Sequence, residues 1–404
     1  MRITFLSTGL FAFLYGACLL LLVVGHRSWW RRPWVRWLAL IVPLTAGVLA
    51  GATALSLRWE THGPARVSAF LLSSIYAGLG WTVVGLALAG LARGLLWLVG
   101  LCHRLPGLAW PPPDPARRAF LQRALGAAPV ATAGLAAGGM TGATRAAELP
   151  TVRLRFPELP EPYRGLRLLH LSDVHLGLFV QLDDLAELLD RAARLEPDLV
   201  LVTGDLCDYT PLYPEALQML AGVRPRLGTW ACLGNHEYFR GVKAVRKWHA
   251  GSEVPLLVDQ GVSLETGGGR LYLAGADDPR LLHNPASHER LRRSVEKSQE
   301  QAPSGAFRLL LSHRSQALDH AAPLGVDLVL SGHTHGFQLG LNGRSLLEPL
   351  LPGRYPWGLY RRGSTRLYTS AGVGHWFPFR LGCPPQAPLL VLERGTPSLL
   401  EQEV

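Results

Sequence analysis

Charged residues are scarce in this 404-residue chain: they make up 17% of it, whereas hydrophobic residues make up 48%. A soluble domain normally carries more charge, so this imbalance indicates membrane segments. A chain of this length also exceeds one ordinary hydrophobic core, so we expect two units. The scarcity of charge therefore argues against a uniformly soluble protein.

Cysteine pairs at metal-binding spacing are absent as well. The five cysteines include no Cys-x-x-Cys arrangement, which excludes a zinc ribbon. Cys207 and Cys232 lie in or after predicted strands, and we favour buried thiols over a disulfide between them. The second half also lacks a basic run with interleaved aromatic residues. Many arginines instead lie beside apolar N-terminal stretches, so the net charge of +10 does not predict nucleic-acid binding.

Three long apolar stretches predict a membrane anchor over residues 1–103. They are Ile3–Val24, Trp37–Leu57 and Val67–Ala92, each near or above the ~20 residues that a span requires. Arginine and tryptophan are mixed over His26–Arg36, which is typical of a cytoplasmic membrane edge. A transporter normally needs ionisable residues within its spans, and these spans carry none at their centres, so we predict an anchor.

Residues 104–148 are predicted to be a linker followed by a fourth apolar segment. Pro111–Pro113 breaks any helix, and Arg117 and Arg118 precede the apolar run Ala124–Ala143. Two interpretations stay open. The paired arginines resemble a twin-arginine export signal, which would make the twin-arginine translocase a partner, or they are the positive flank of a fourth, transmembrane span.

Both interpretations give the same topology. The arginine-rich loops 26–36 and 103–123 stay inside the cell, because positive loops remain cytoplasmic. The N-terminus, the turn 58–66 and everything after about residue 146 then lie outside. We therefore expect a multi-pass membrane protein whose second half is extracytoplasmic.

Strands and helices alternate over residues 149–404, which predicts an α/β domain. Five apolar strands each end in a polar cluster. The clusters are Ser172–His175, Thr203–Asp208, Gly234–Glu237, Ser312–Arg314 and Ser331–Gly336. Ligands of open α/β sheets bind beyond the carboxyl ends of strands, so we expect these clusters to converge.

The clusters carry seven oxygen or nitrogen donors and no thiolate among them. The donors are Asp173, His175, Asp205, Asn235, His313, His333 and His335. Residues two apart on an extended chain point the same way, so His333 and His335 can face one centre. This donor set suits Mn, Fe or Zn, and seven donors suit two divalent ions that share one carboxylate.

The same blocks resemble, in order, the signature of the calcineurin-like metallophosphoesterases over roughly residues 150–395. The matching blocks are Asp173-x-His175, Gly204-Asp205-x-x-Asp208, Gly234-Asn235-His236-Glu237, His313 and Gly332-His333-x-His335. The N-terminal spans and paired arginines are similar to the membrane-associated bacterial branch of YaeI/YkuE-type phosphodiesterases. The resemblance implies an α/β/β/α sandwich after the transmembrane helices, in the bacterial inner membrane.

The resemblance also implies a role for each residue of these blocks. One ion would be bound by Asp173, His175, Asp205 and His335, and the second by Asp205, Asn235, His313 and His333. His236 would donate a proton to the leaving group, and Asp208 would orient a ligand. Arg314 and His375 are candidates for substrate contact, with a structural ion pair as an equal alternative for Arg314.

The expected activity is hydrolysis of a phosphodiester or phosphomonoester by a metal-activated water, with Asp205 and His236 as catalytic residues. Membrane attachment favours a lipid-linked substrate. A pyrophosphatase acting on a UDP-diacylglucosamine type of substrate in lipid A metabolism is one alternative, but that substrate is cytoplasmic. A non-catalytic, metal-stabilised binding module is the other.

Overall fold

The N-terminal part of the chain consists of apolar helices. The computed structural model describes residues 2–58, 62–102, 114–396 and 402–404. The first helices are α1 (Arg2–Leu20, continued by the π-helical turn Leu21–Gly25), α2 (Arg27–Trp30), α3 (Pro33–Arg58), α4 (His62–Cys102) and α5 (Pro115–Ala143). Among the residues that the structure describes, three segments are long and apolar enough to cross a membrane: Pro33–Leu57, Gly63–Val99 and Ala119–Ala143.

All four predicted apolar runs fall within helices. The second, third and fourth lie within α3, α4 and α5, and the first lies within α1 and its π-helical continuation. Helix α4 continues beyond Ala92, so Arg93 lies within a candidate span, where its guanidinium is 2.6 Å from Nδ1 of His26. The predicted linker Pro111–Pro113 lies outside the described residues.

The unit Gly142–Val404 is mixed α/β. Its helices are α6 (Leu182–Ala193), α7 (Tyr213–Gly222), α8 (Asn235–Arg240), α9 (Val242–Ala250), α10 (Pro285–Gln299) and α11 (Ala317–Ala321). Its strands are β1 (Thr151–Phe156), β2 (Arg167–Leu171), β3 (Leu199–Thr203), β4 (Thr229–Cys232), β5 (Gln260–Glu265), β6 (Arg270–Gly275), β7 (Phe307–Leu311), β8 (Leu328–Ser331), β9 (Gly340–Leu341), β10 (Arg344–Ser345), β11 (Gly358–Arg362), β12 (Thr365–Thr369), β13 (Leu389–Arg394) and β14 (Gln402–Glu403).

The strands form two large sheets and one small hairpin. The five-stranded sheet has the order β1-β13-β2-β3-β4, and the seven-stranded sheet has the order β14-β11-β12-β8-β7-β6-β5. Strands β9 and β10 pair with each other. The sequence did not predict β1, because two arginines occupy its exposed positions and only Leu154 and Phe156 are buried.

Alternate residues of the central strands pack into different hydrophobic cores, as the period of two in a strand requires. In β3, Leu199 and Leu201 join a core shared by both sheets, whereas Val200 packs with side chains of α6 and α7. In β8, Leu330 joins the shared core, whereas Val329 packs with side chains of α10 and α11. Helices therefore cover the outer face of each sheet, which confirms the predicted α/β/β/α sandwich.

Candidate metal site

Five strands deliver the predicted ligands from two sheets. Strands β2, β3 and β4 are parallel neighbours in one sheet, and β7 and β8 are parallel neighbours in the other. Each strand ends two or three residues before its first predicted ligand. Those first ligands are Asp173, Asp205, Asn235, His313 and His333. The carboxyl ends of parallel neighbours lie at the same edge of a sheet, which brings these side chains together.

Asp173, His175 and His335 form one group of ligand atoms. Nε2 of His175 lies 3.1 Å from Nε2 of His335. Oδ1 of Asp173 lies 3.4 Å from Nε2 of His335 and 3.9 Å from Nε2 of His175. All three atoms fall within 4.8 Å of one another, and a metal with bonds of ~2.0–2.3 Å fits between atoms at that spacing.

Asp205, His313 and His333 form a second group. Nε2 of His313 lies 3.2 Å from Oδ2 of Asp205, 3.2 Å from Nδ1 of His333 and 3.1 Å from Oδ1 of Asn235. Oδ2 of Asp205 also lies 3.8 Å from Nε2 of His175, which belongs to the first group. The structure thus brings all seven predicted ligands together and places the Asp205 carboxylate between the two groups.

The backbone at five of these ligands is left-handed. Their φ angles are 52° at Asp173, 53° at His175, 54° at Asp205, 71° at His333 and 51° at His335. Residues other than glycine rarely adopt positive φ, and such conformations cluster at functional sites. Gly332 permits a close approach as well, because a Cβ there would lie 1.8 Å from Oγ of Ser172.

Two of the histidines are oriented for metal binding through Nε2. The Nδ1 atom of His313 donates to the carbonyl of Thr203 at 2.8 Å, and Nδ1 of His175 lies 3.2 Å from Oδ2 of Asp208. A ligand histidine usually donates its outer N–H to a carbonyl or carboxylate, which leaves the inner nitrogen free for the ion. The residues present therefore fit divalent metal ions at this site.

In His333 and His335, an arginine guanidinium lies beside the outer ring nitrogen, the one that faces away from the other ligand atoms. Nη1 of Arg314 contacts Nε2 of His333, and Nη2 of Arg380 lies 3.3 Å from Nδ1 of His335. Arginine only donates hydrogen bonds, whereas the outer nitrogen of a neutral, metal-bound histidine carries a hydrogen. When the inner nitrogens bind metal, these donors need other acceptors. Arg314 has one in Asp278, whose Oδ2 lies 2.7 Å from its Nε.

The electrostatics of the site favour cations. Burial alone would raise the pKa of the Asp205 carboxyl, but the charge of His313 and its hydrogen bond hold that pKa well below its usual range. Burial lowers the pKa of His313, but the neighbouring Asp205 and its hydrogen bond outweigh burial and raise the pKa to about 10. Burial lowers the pKa of His335 to about 3, which keeps that ring neutral. A proton on His313 thus supplies positive charge that a metal ion can replace.

His236 and Asp208 form a hydrogen-bonded pair beside the two ligand groups. Nδ1 of His236 bonds to Oδ1 of Asp208, and its Nε2 lies 3.9 Å from Oδ2 of Asp205. His175, Asp208 and His236 are close enough to hold an ion themselves. However, both oxygens of Asp208 already accept from ring nitrogens, so we interpret this trio as a support for His175 and His236.

Three supporting residues were not assigned a role from the sequence. The Glu237 carboxylate accepts hydrogen bonds from the amides of Asp205 and Gly234, at 2.9 and 2.8 Å, and so ties two ligand loops together. Glu237 is the third residue of α8, a capping position that the sequence could have revealed. Asp278 and Arg380, by contrast, give no local sequence signal.

Arg314 and His375, the two candidates for substrate contact, have different surroundings. Arg314 is buried and paired with Asp278, and its Nη2 lies 3.3 Å from Oδ1 of Asn235. His375 is buried, and its ring centroid lies 5.8 Å from that of Phe179. Cys207 and Cys232 are free, buried thiols, as expected.

Comparison with known proteins agrees with this geometry. Residues 166–337 match the calcineurin-like phosphoesterase family. The chain is 31% identical over 297 residues to a bovine transmembrane protein with a metallophosphoesterase domain, covering 69% of this chain and 64% of that protein. It is 30% identical over 245 residues to a metallophosphoesterase of Aquifex aeolicus, covering 56% of this chain and 85% of that one.

A third relative is phosphodiesterase YaeI of Escherichia coli strain K12, with 27% identity over 252 residues that cover 60% of this chain and 87% of that protein. The chain spans less than two thirds of the length of the bovine relative. Its family match, its relatives and its convergent metal ligands lead to one conclusion: the chain belongs to the calcineurin-like phosphoesterase family.

Proposed function

We propose that this chain is a membrane-anchored hydrolase of phosphoesters that uses two divalent metal ions. The observation that carries the proposal is the position of Asp205. Its Oδ2 lies 3.2 Å from Nε2 of His313 in one ligand group and 3.8 Å from Nε2 of His175 in the other. A carboxylate between two groups of nitrogen and oxygen donors suits a pair of ions about 3.5–4 Å apart.

The ions, when bound, supply Lewis acidity that activates a water molecule and neutralises charge on the phosphoryl group. Manganese, iron and zinc all suit the donor set. Asp173, His175 and His335 would hold one ion, and Asn235, His313 and His333 the other, with Asp205 shared. The chain itself fixes the positions of these donors through two sheets and their short connections.

His236 is proposed as the proton donor to the leaving group. Its Nδ1 donates to Asp208, so the hydrogen available for transfer is on Nε2, at the side of the ring that faces the ligand groups. Its side chain is 18% exposed, so solvent or substrate can reach it. Asp208 fixes the orientation of the ring through its contact with the other nitrogen.

Arg314 is proposed as a contact for a phosphoryl oxygen. Its Nε and Nη2 are held by Asp278 and by the carbonyl of Arg280. Its Nη1 faces His333, and it loses that acceptor when Nε2 of His333 carries a hydrogen. A guanidinium held in this way can bind a phosphate without a large loss of side-chain entropy.

We also propose the predicted location: a multi-pass protein of the bacterial inner membrane with its phosphoesterase unit outside. The paired residues Arg117 and Arg118 lie in the first turn of α5, directly before the candidate span Ala119–Ala143. That position suits a positive flank of a span and does not require the translocase. Digestion of the unit by protease in intact spheroplasts tests the topology, and full protection would refute it.

Hydrolysis of bis-p-nitrophenyl phosphate by the purified full chain tests the activity. We expect turnover with added Mn²⁺, loss of turnover with a chelator, and recovery when the metal is restored. Elemental analysis of the same sample gives the number and identity of the ions. Tight metal binding without turnover on any phosphomonoester, phosphodiester or nucleoside-diphosphate lipid would instead support a binding module.

A further inference from the structure

Exposed apolar side chains are unevenly distributed over the described part of Gly142–Val404. Apart from Val404 near the C-terminal edge strand, the large ones all follow the carboxyl ends of β3, β4, β6, β8 and β12. Four of them form what we call the apolar rim: Tyr209, Phe239, Leu281 and Trp376. Three further leucines lie between residues 341 and 350, after β8. Exposed apolar groups concentrated in one region mark a surface that binds something.

Two members of the apolar rim lie beside the proposed proton donor and its partner. Phe239 is 55% exposed, and its ring centroid lies 5.8 Å from that of His236. Tyr209 is 40% exposed and directly follows Asp208. These two members of the rim therefore lie next to the proposed proton donor and its partner.

The other two members lie beside the guanidinium groups of the site. Leu281 is 55% exposed and follows Arg280, whose carbonyl accepts a hydrogen bond from Arg314 at 2.9 Å. Trp376 is 60% exposed and lies in the connection that contains Gly374, whose carbonyl accepts from Arg380 at 2.6 Å. The members of the apolar rim thus lie near several different residues that contact the ligand cluster.

The polypeptide also begins this unit close to the site. A Cβ at Gly142 would lie 2.0 Å from the carbonyl oxygen of Arg380, and Arg380 contacts the predicted ligand His335. Ala143, the next residue, is the last of the candidate span Ala119–Ala143. A span ends at the lipid surface, so the chain enters this unit from that surface at a residue close to Arg380.

From the apolar rim and this starting point together, we propose that the site edge rests on the bilayer and that the substrate phosphoester is carried by a lipid. Tryptophan, tyrosine and phenylalanine favour the membrane interface, where an apolar ring meets polar head groups. Arg240 and Arg280 lie next to Phe239 and Leu281 in the chain, and they suit anionic head groups. This inference rests on the proposed function and specifies its substrate class.

Depth measurements on the full chain test the membrane contact without any need for turnover. A nitroxide is attached at Leu281→Cys, Trp376→Cys or, as a control, Val404→Cys. Every variant also carries Cys102→Ser and is reconstituted in nanodiscs of phosphatidylcholine and phosphatidylglycerol. The remaining cysteines are buried, so the label should attach at the introduced position: they are Cys18, Cys207, Cys232 and Cys383. We expect more collisions with lipid-soluble oxygen than with an aqueous nickel complex at 281 and 376, and the reverse at 404. Water-like accessibility at 281 and 376 would overturn the proposal, as would spin coupling between two copies at these positions.

A matched pair of chromogenic esters tests the substrate class. Hexadecyl p-nitrophenyl phosphate dispersed in the nanodisc carries a long alkyl chain, whereas bis-p-nitrophenyl phosphate is soluble. For Leu281→Gln/Trp376→Gln we expect kcat/KM on the first ester to fall at least about tenfold, because each inserted side chain contributes about that factor to lipid contact. The second ester should change by less than about twofold, and Val404→Gln should change neither. Equal losses on both esters would overturn the lipid assignment. No turnover of either ester by the unaltered chain would count against the phosphoesterase function, and the depth measurement would then decide the membrane contact alone.

Discussion

Replacing His236 with alanine tests the proposed proton donor. General-acid assistance contributes ~10²–10⁴-fold to a rate, which corresponds to ~2.7–5.5 kcal/mol of transition-state free energy. The full effect requires that Nε2 of His236 carry the transferable hydrogen. Its Nδ1 donates to Asp208, so Nε2 carries a hydrogen only when the ring is cationic. For that form of the ring we expect a loss within this range for a leaving group that needs a proton.

The size of the loss should depend on the leaving group. A nitrophenolate leaves without help, so His236→Ala should lower kcat/KM for bis-p-nitrophenyl phosphate by less than about tenfold. An alkoxide needs the proton, so the loss for an alkyl phosphodiester should reach ~10²–10⁴-fold. The assay is kcat/KM for both esters, together with elemental analysis, since His236 lies outside the two ligand groups and the metal content should not change.

Two further variants make the test specific. His288→Ala, at an exposed histidine of α10, should leave both esters unaffected. Asp208→Asn should reproduce part of the His236→Ala loss, because Asp208 contacts that ring, and it should also lower the metal content, because its other oxygen contacts Nδ1 of the predicted ligand His175. Equal losses on the two esters with full metal content would refute the acid role.

Three other changes probe the site and its support. Asp205→Asn should remove both ions together, because one carboxylate lies between the two ligand groups; two ions per chain by elemental analysis would argue against the shared ligand. Arg380→Met should destabilise the fold by about 3 kcal/mol, measured by thermal unfolding, because it leaves the buried carbonyls of Ala371 and Gly374 without a donor. Arg380→Lys should not restore stability, since lysine lacks the planar fork. Burial lowers the pKa of His170 to about 3. Below pH ~6.5 this histidine therefore binds a proton in the unfolded chain but not in the folded chain, so the free energy of unfolding decreases as the pH is lowered. The free energy of unfolding should be about 2 kcal/mol lower at pH 5 than at pH 7 because of this group. His170→Gln should remove about that much of the pH dependence of thermal unfolding. An unchanged pH dependence would show that His170 titrates normally.

The ligand positions could be predicted because they depend on short-range patterns. Each ligand cluster directly follows an apolar strand. Two such clusters lie close together whenever their strands are parallel neighbours in a sheet. Asp173 and Asp205 illustrate this, since β2 and β3 pair directly and their next residues are the ligand loops. The same reasoning placed His313 beside His333, through the pairing of β7 with β8.

The supporting residues could not be predicted because their roles depend on distant contacts. Arg380 lies 45 residues from its partner His335, and Arg314 lies 36 residues from Asp278. A single arginine in a loop gives no period, spacing or motif that announces such a partner.

The left-handed backbone at the ligands shows what the two sheets contribute to function. Each such residue costs about 1–3 kcal/mol, so the loops need bonds that oppose relaxation. The loops after β2 and β3 provide them by continuing the strand pairing: the amide of Asp173 donates to the carbonyl of Gly204 at 3.1 Å, and the amide of His175 donates to that of Asp205 at 3.0 Å. The amide of His333 in turn donates to the Asp173 carboxylate at 2.9 Å, which joins the second sheet to the first. These hydrogen bonds oppose relaxation of the left-handed ligand loops, so the chain itself contributes to ordering the ligands.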